Sequence, residues 1–281
     1  MSLRDGTRTP SIGLSGQPIP FTSLVDVGPD PSSTGEPAFR LRPSSWLDGL
    51  IARGLPAPLV ILADVAAGAA ALRGRTGPER VVTEALRLDL LDRPSVELRA
   101  VASASASGPR RAMTVGVISN ETDGGVVGHL TGRVAVLDPR QAGARVSAPS
   151  WVPPGDTPAV SDLLDDATEL VQASDDMVRL RIPTHGDLGN SYGYMHGGAI
   201  AVINDVALEW LRRQPGCELA GSRVQSVSLD YLAPVPLTGT ASVTSRVAER
   251  GHGRAVVLVG VAGVGGAASA VASYTVRLAR S

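Results

Sequence analysis

The stretch Asn190–Gly198, with the sequence NSYGYMHGG, runs directly into an apolar segment, Ala199–Leu211, that carries one carboxylate, Asp205. A helix that is apolar on almost every side must be buried. Two glycines at its start leave the first free N–H groups without a neighbouring Cβ, and such groups attract a developing negative charge on oxygen. The stretch therefore predicts a buried helix whose first turn, at Gly197 and Gly198, is able to hold an oxyanion.

The chain contains an internal repeat. Asp64, in an alanine-rich apolar segment, returns as Asp205, and Leu88–Leu91 returns as Leu229–Leu232, with an offset of 141 positions in both cases. Each copy shows the pattern of a strand, a long apolar helix and then strands with alternating apolar positions. Strands joined by short turns must be antiparallel. We therefore predict an α+β fold of two similar units, each an antiparallel sheet of about five strands with one buried helix on its face.

Composition divides the chain into four parts. Residues 1–37 are rich in Pro, Gly, Ser and Thr and are predicted to form a mostly irregular arm, although Ile19–Val27 is able to pack as an extra strand. The first unit is predicted at residues 38–137, a Pro/Gly/Ala linker at 138–157, and the second unit at 158–281.

Three helices are predicted inside these units. The two long apolar helices are expected at Leu55–Leu72 and Gly197–Leu211. A shorter helix with a capping pattern is expected at Ser161–Leu170, where it would open the second unit.

Composition also excludes several classes of partner. The net charge is −1 and the pI is near 6.4, so there is no broad basic surface for nucleic acid or an anionic membrane. No segment has the roughly 18 uninterrupted apolar residues of a membrane helix, and the N-terminus lacks the apolar core of a signal peptide. The single cysteine, Cys217, suits a reducing compartment. We therefore expect a cytoplasmic protein, without a metal site, whose partners are small molecules or other subunits.

Helix geometry limits how the conspicuous motif works. Gly197 and Asp205 are eight residues apart, which is about 12 Å along one helix. A carbonyl held by the Gly197 N–H is thus out of reach of Asp205, and the attacking carboxylate must come from elsewhere. If the two long helices lie side by side and antiparallel, the N-terminus of one meets the middle of the other. Asp64 would then lie beside Gly197.

The first unit lacks the loop motif. Its positions equivalent to Asn190, His196, Gly197 and Gly198 are Gly49, Leu55, Pro56 and Ala57. Proline has no N–H, so the donor that would polarise a carbonyl is missing. We therefore expect one complete site per chain, which puts a catalytic role for Asp205 in doubt.

The motif as a whole consists of an Asn six residues before His196, two glycines after it and an Asp in the buried helix. This combination resembles the hotdog-fold acyl-CoA thioesterases of the phenylacetate-pathway type. The resemblance implies two tandem hotdog units, each an antiparallel sheet wrapped around a central helix. It implies that the two central helices lie side by side and antiparallel, so that Asp64 lies beside Gly197 and the site is shared between units. It implies that Asn190, Gly197 and the helix Asp are the working residues and that His196 mainly shapes the loop with Gly198. It also implies that CoA enters only as part of the substrate, without a further cofactor. Exposed edges or faces of the sheets are expected to pair two double-hotdog chains into a homodimer.

Further residues are candidates for substrate binding. Thr83 follows Asp64 in the first strand after the helix and is placed to hold water or the carboxylate. Tyr194 lies in the loop that would border the acyl tunnel. Arg250 and Arg254 flank a predicted strand turn and are available for the phosphates of CoA, with solvated surface positions as the alternative.

Three functions are compatible with these patterns. The first is an acyl-CoA thioesterase in which Asp64 acts as nucleophile or general base and the Gly197 N–H as the oxyanion donor. The second is a hydratase or dehydratase of enoyl or hydroxyacyl thioesters, whose usual Asp-x-Asn-Pro-x-His loop is not present here. The third is a non-catalytic acyl-CoA-binding or assembly protein. Structural alternatives also stand: close helix packing for the glycines, hydrogen bonding for both aspartates, and a turn-forming role for Asn190.

Overall fold

The computed structural model describes residues 27–31, 33, 37–42, 45–75, 80–95, 97–137, 168–184, 186–190, 192–263 and 265–279. Most of the predicted arm, all of the predicted linker at 138–157 and most of the helix predicted at Ser161–Leu170 lie outside these residues.

The first unit contains six strands and two helices within the described residues. They are β1 Val27–Pro29, β2 Ala38–Leu41, α1 Ser45–Ala52, α2 Ala57–Leu72, β3 Arg80–Leu90, β4 Leu98–Ser107, β5 Arg111–Asn120 and β6 Val126–Leu137. Within the predicted arm, Val27–Pro29 form β1, which pairs with β2 along its whole length. The extra strand considered at Ile19–Val27 overlaps β1 only at Val27, and its other residues lie outside the described part of the chain. The long helix begins two residues later than predicted, directly after Pro56.

The second unit repeats this order. It contains β7 Glu169–Ser174, β8 Met177–Pro183, a short 3-10 turn Gly186–Leu188, α3 Gly197–Arg212, β9 Arg223–Tyr231, β10 Thr240–Gly251, β11 Arg254–Ala262 and β12 Ala268–Arg277. The helical prediction is wrong for Glu169 and Leu170, which lie in β7 and pair with Arg181 and Leu180 of β8.

All twelve strands form one antiparallel sheet in the order β1-β2-β4-β5-β6-β3-β9-β12-β11-β10-β8-β7. The two halves of this order are equivalent: β3 corresponds to β9, β6 to β12, and so on outward to β1 and β7. The halves meet where β3 pairs with β9, in a register that places Leu86 opposite Leu229. The predicted fold class is confirmed, with six strands in each unit where about five were expected.

The two long helices lie against the sheet and against each other. Twelve of the sixteen residues of α2 are buried, and Asp64 is its one charged residue. Alanines make up almost half of α2 and allow α2 to approach the strands and α3 closely. Thirteen of the sixteen residues of α3 are buried, including Asn204 and Asp205. None of the helices among the described residues is long and apolar enough to cross a membrane.

The continuous sheet predicts that both units unfold together. Leu229 is fully buried at the junction of β3 and β9, so Leu229→Ala should lower the free energy of unfolding by about 2–5 kcal/mol. Urea unfolding followed by far-UV circular dichroism and by intrinsic fluorescence should give one coincident transition. Leu232→Ala is the control, because Leu232 is 59% exposed and its loss should change stability by no more than about 0.5 kcal/mol. Two separated transitions would contradict this prediction.

Candidate active site

His196 caps the N-terminus of α3. Its backbone is extended, with φ −67° and ψ 143°, and its Nδ1 accepts a hydrogen bond from the Gly198 N–H at 3.0 Å. Because Nδ1 is the acceptor, the proton of the neutral imidazole is on Nε2. Burial lowers the pKa of His196, against the opposing effect of the Asp64 charge. The Gly198 N–H is therefore occupied, whereas the Gly197 N–H has no acceptor within the described part of the chain.

Asp64 reaches the start of α3 from the other unit. A Cβ at Gly197 would stand 2.8 Å from Asp64 Oδ2, so only glycine leaves room for the carboxylate here. The same oxygen is 3.6 Å from His196 Nδ1, and both side chains are only 10% exposed. Thr83 Oγ1 donates to Asp64 Oδ1 at 2.5 Å. The structure thus brings together Asp64, Thr83, His196 and Gly197, as expected for antiparallel helices.

Tyr231, at the end of β9, belongs to the same group and was not predicted. Its hydroxyl donates to the Gly197 carbonyl at 3.2 Å. Burial and the negative charge of Asp64 raise the pKa of Tyr231 well above its usual value. The repeat contains a signal for this residue, because Tyr231 stands at the inward position occupied by Leu90 in the first unit.

Asn190 shapes the loop before α3. Its Oδ1 accepts from the N–H groups of Tyr192 at 2.9 Å and Tyr194 at 3.2 Å, and its own N–H donates to the Tyr194 carbonyl at 2.8 Å. This is the turn-forming geometry typical of asparagine, and Gly193 supplies the positive φ of +80° that the turn requires. The Asn190 amide NH2 group has no acceptor among the described residues.

The loop also connects the two units. The Tyr192 hydroxyl donates to the Val81 carbonyl of β3 at 3.3 Å, and the Arg80 guanidinium lies 5.3 Å from the centroid of the Tyr192 ring. Tyr194 is 43% exposed and forms a short backbone bridge with Pro236. The loop of the second unit is thereby fixed to the strand that carries Thr83.

Asp205 occupies the equivalent position in the other half of the molecule, but both of its oxygens are engaged. Oδ2 accepts from the Ala57 N–H at 2.6 Å and Oδ1 from the Tyr274 hydroxyl at 3.0 Å. The side chain is fully buried, and burial raises its pKa to about 7 against the effect of these two hydrogen bonds. Asp205 therefore caps the start of α2, where Pro56 has no N–H to offer. This geometry favours structural hydrogen bonding, the alternative role considered for Asp205 from the sequence, over the catalytic one.

Arg250 and Arg254 are not brought to this group. Arg254 lies at the end of the sheet where β11 pairs with Arg277 of β12, whereas Tyr231 pairs with Ala270 at the other end of β12. Ala270 and Arg277 are seven residues apart along β12, which corresponds to about 23 Å, so Arg254 and Tyr231 lie at opposite ends of this strand. Arg250 forms ion pairs with Asp176 and, at 3.8 Å, with Glu218. The expected position of the two arginines at the mouth of the cleft is therefore not supported.

The arrangement around Gly197 has the parts needed to polarise a carbonyl and attack it. A free N–H lies at the N-terminus of a buried helix, and a carboxylate from the other unit lies against the same residue. Among the described residues, no group of three or more His, Cys, Asp or Glu side chains is arranged to hold a metal ion.

The fold that holds this site is a double hotdog, two hotdog units in one chain. The structure is similar to the tesB protein of Mycobacterium avium subsp. paratuberculosis, with a TM-score of 0.61 and 11% identity over 89% of this chain and 95% of that chain. It is similar to an acyl-CoA thioesterase II of Mycobacterium marinum, with a TM-score of 0.59 and 10% identity over 90% and 96% of the two chains. A conserved protein of unknown function with a hot dog fold from Alicyclobacillus acidocaldarius gives a TM-score of 0.58 and 14% identity over 89% and 96%.

The sequence itself matches no family model and no curated protein. The resemblance inferred from the loop motif is therefore confirmed for the double-hotdog fold. At identities of 10–14%, a shared fold leaves the activity to be argued from the site.

The buried carboxyl of Asp205 predicts a pH-dependent stability. Its folded pKa of about 7 is raised above the ordinary 3.8, so the folded state holds the proton more tightly and stability falls as pH rises from about 4 to about 7. Asp205→Asn imitates the protonated carboxyl, since it can accept from Ala57 and donate to Tyr274. We expect the melting temperature of the wild type, relative to this variant, to fall by several degrees between pH 5 and pH 8.

The measurement is thermal unfolding of both proteins at a series of pH values. Asp230→Asn, the same substitution at an exposed position of β9, is the control for the effect of the substitution itself. A constant difference for Asp205→Asn would contradict the prediction.

Proposed function

We propose that the protein is an acyl-CoA thioesterase that hydrolyses an acyl-CoA thioester to the free acid and CoA at one composite site per chain. The observation that carries this proposal is the contact between Asp64 of the first unit and Gly197 of the second. The carboxylate has one oxygen held by Thr83 and the other facing the residue whose N–H is free.

The chemistry follows from these positions. The thioester carbonyl oxygen accepts from the Gly197 N–H, and Asp64 takes a proton from an attacking water or attacks the carbonyl carbon itself. The negative charge that develops on the carbonyl oxygen is stabilised at the helix N-terminus. Collapse of the tetrahedral intermediate breaks the C–S bond, and the CoA thiolate leaves and takes up the proton that Asp64 removed from water. Where Asp64 itself attacks, water hydrolyses the acyl–Asp64 anhydride that remains, which releases the free acid, restores the carboxylate and supplies the proton that the thiolate takes up. Because thioesters are activated, one donor and one carboxylate are sufficient machinery.

The remaining residues have supporting roles. His196 keeps its Nδ1 bound to the Gly198 N–H and so shapes the helix start, and Asn190 holds the loop through its Oδ1. Tyr194, exposed in the same loop, is the contact we propose for the acyl group. The fold similarity to a mycobacterial acyl-CoA thioesterase II supports the reaction class. The free, buried Cys217 is compatible with the cytoplasmic location predicted from the sequence.

The two aspartates give a matched test of the composite site. Asp64→Asn should lower kcat by about two to four orders of magnitude, because it removes the nucleophile or base. Asp205→Asn, the same change at the equivalent position, should keep kcat within about threefold of the wild type. The assay is thiol release from a panel of acyl-CoAs that runs from acetyl-CoA to palmitoyl-CoA and includes phenylacetyl-CoA.

The reverse pattern, with Asp205→Asn inactive and Asp64→Asn active, would overturn the composite site. Loss of activity in both variants together with lower melting temperatures would show a structural role for both residues. A wild type that binds acyl-CoA in calorimetry without releasing thiol would instead support the non-catalytic alternative.

We also propose that two chains associate as a homodimer. Met113 and Val115 are 45% and 40% exposed on the outer face of β5, and all six residues of the edge strand β7 are exposed. Exposed apolar residues on a sheet face and an unpaired strand edge both favour association. Light scattering at micromolar concentration should give twice the 28.9 kDa mass of one chain, and a monomer would contradict the proposal.

A further inference from the structure

We propose that Tyr231 is a positioning residue whose hydroxyl fixes the peptide between Gly197 and Gly198 and thereby sets the direction of the Gly197 N–H. This inference rests on the proposed function, in which that N–H is the oxyanion donor. Tyr231 comes from a strand of the second unit, and its hydroxyl contacts the loop motif without being part of it.

The peptide needs an external restraint because both of its residues are glycine. Glycine adopts a wider range of backbone angles than any other residue, so a Gly–Gly pair does not hold one orientation by itself. Here the peptide is held from both ends: the Tyr231 hydroxyl donates to its carbonyl at 3.2 Å, and its N–H donates to His196 Nδ1 at 3.0 Å. Because the plane of the Gly197–Gly198 peptide is fixed, rotation about the backbone bonds of Gly197 is restricted. The direction of the Gly197 N–H is restricted with it.

The distribution of the hydroxyl between the two units supports this role. The position equivalent to Tyr231 in the first unit is Leu90, and there the helix start has Pro56 and Ala57 in place of the two glycines. Burying a phenolic hydroxyl costs free energy unless it is hydrogen-bonded, and a leucine fills an inward strand position without that cost. The hydroxyl is therefore present only in the unit where a flexible Gly–Gly peptide has to be fixed.

The hydroxyl also lies close to the carboxylate. A Cβ at Gly197 would stand 3.2 Å from the Tyr231 hydroxyl oxygen and 2.8 Å from Asp64 Oδ2, so both groups border the same small space. Burial and the Asp64 charge raise the pKa of Tyr231 well above 10, which keeps the hydroxyl protonated and able to donate wherever the carboxylate is ionised. Tyr231 thus acts as a permanent hydrogen-bond donor and does not transfer a proton.

The kinetic test removes only the hydroxyl. With the acyl-CoA that the wild type hydrolyses fastest, Tyr231→Phe should lower kcat by roughly 10- to 100-fold, somewhat less than the loss of an oxyanion donor itself, while KM stays within about threefold. Tyr274→Phe is the matched control, because it removes a buried hydroxyl that donates to Asp205, and its kcat should stay within about twofold. An unchanged kcat for Tyr231→Phe, with Asp64→Asn inactive, would overturn the inference and leave the proposed function standing.

A second measurement does not depend on activity. The sequence has three Gly–Gly pairs, at 124–125, 197–198 and 265–266, so protein labelled with carbonyl-¹³C, ¹⁵N-glycine gives three amide signals in a carbonyl-filtered NMR spectrum. Tyr231→Phe should speed hydrogen exchange of the Gly198 amide by roughly fivefold or more and leave the other two amides unchanged. Unchanged hydrogen exchange of the Gly198 amide would overturn the inference, whether or not the protein hydrolyses thioesters. If the protein hydrolyses no thioester but exchange at Gly198 is faster in Tyr231→Phe, the proposed function fails and Tyr231 is still a positioning residue.

Discussion

The contact between the two buried helices is the constraint on which the rest of this molecule depends. Each helix carries a carboxylate in an apolar environment, where an ionisable group is costly unless it finds hydrogen-bond donors. Because α2 and α3 run antiparallel, the N-terminus of one helix faces the carboxylate of the other. Asp205 meets its requirement with the Ala57 N–H and the Tyr274 hydroxyl. Asp64 uses the Thr83 hydroxyl and so leaves the Gly197 N–H free. The Asp205 carboxylate therefore occupies the first N–H of α2, whereas the Asp64 carboxylate leaves the first N–H of α3 free.

Much of the fold and the centre of the site could be predicted from the sequence. The repeat gave the two units, and apolar periodicity placed the long helices to within two residues of their observed bounds. The rise of a helix was enough to exclude Asp205 as the partner of Gly197. The antiparallel helices implied by the family resemblance selected Asp64, which the structure places beside Gly197. These inferences succeeded because helix length, helix burial and the absence of an N–H at proline are local properties. The sequence also showed that Pro56 provides no N–H at the start of α2. It did not show that Asp205 accepts a hydrogen bond from the next N–H, that of Ala57.

The features that sequence reasoning missed depend on which distant residues the sheet brings together. An inward tyrosine in an alternating strand has the pattern of a core residue, so only the register of β9 shows that Tyr231 reaches Gly197. Arg250 and Arg254 flank a turn, but strand pairing, including that of β11 with β12, decides at which end of the sheet this turn lies. The last two residues of the helix predicted at Ser161–Leu170 form part of β7 because they pair with β8. Long-range strand pairing decided each of these cases.

The pairing of β3 with β9 inside one chain has an evolutionary consequence. In a dimer of identical single units, every substitution appears twice, so a change that improves one site also alters its twin. A tandem chain is free of this symmetry, because each site draws its carboxylate from one copy and its helix start from the other. The first half of this chain is thus able to carry Pro56, which has no N–H, at the start of α2, while its Asp64 still lies against Gly197 of the second half. The tandem arrangement thus allows half of the chain to be reshaped for stability or partner choice without loss of the contact between Asp64 and Gly197.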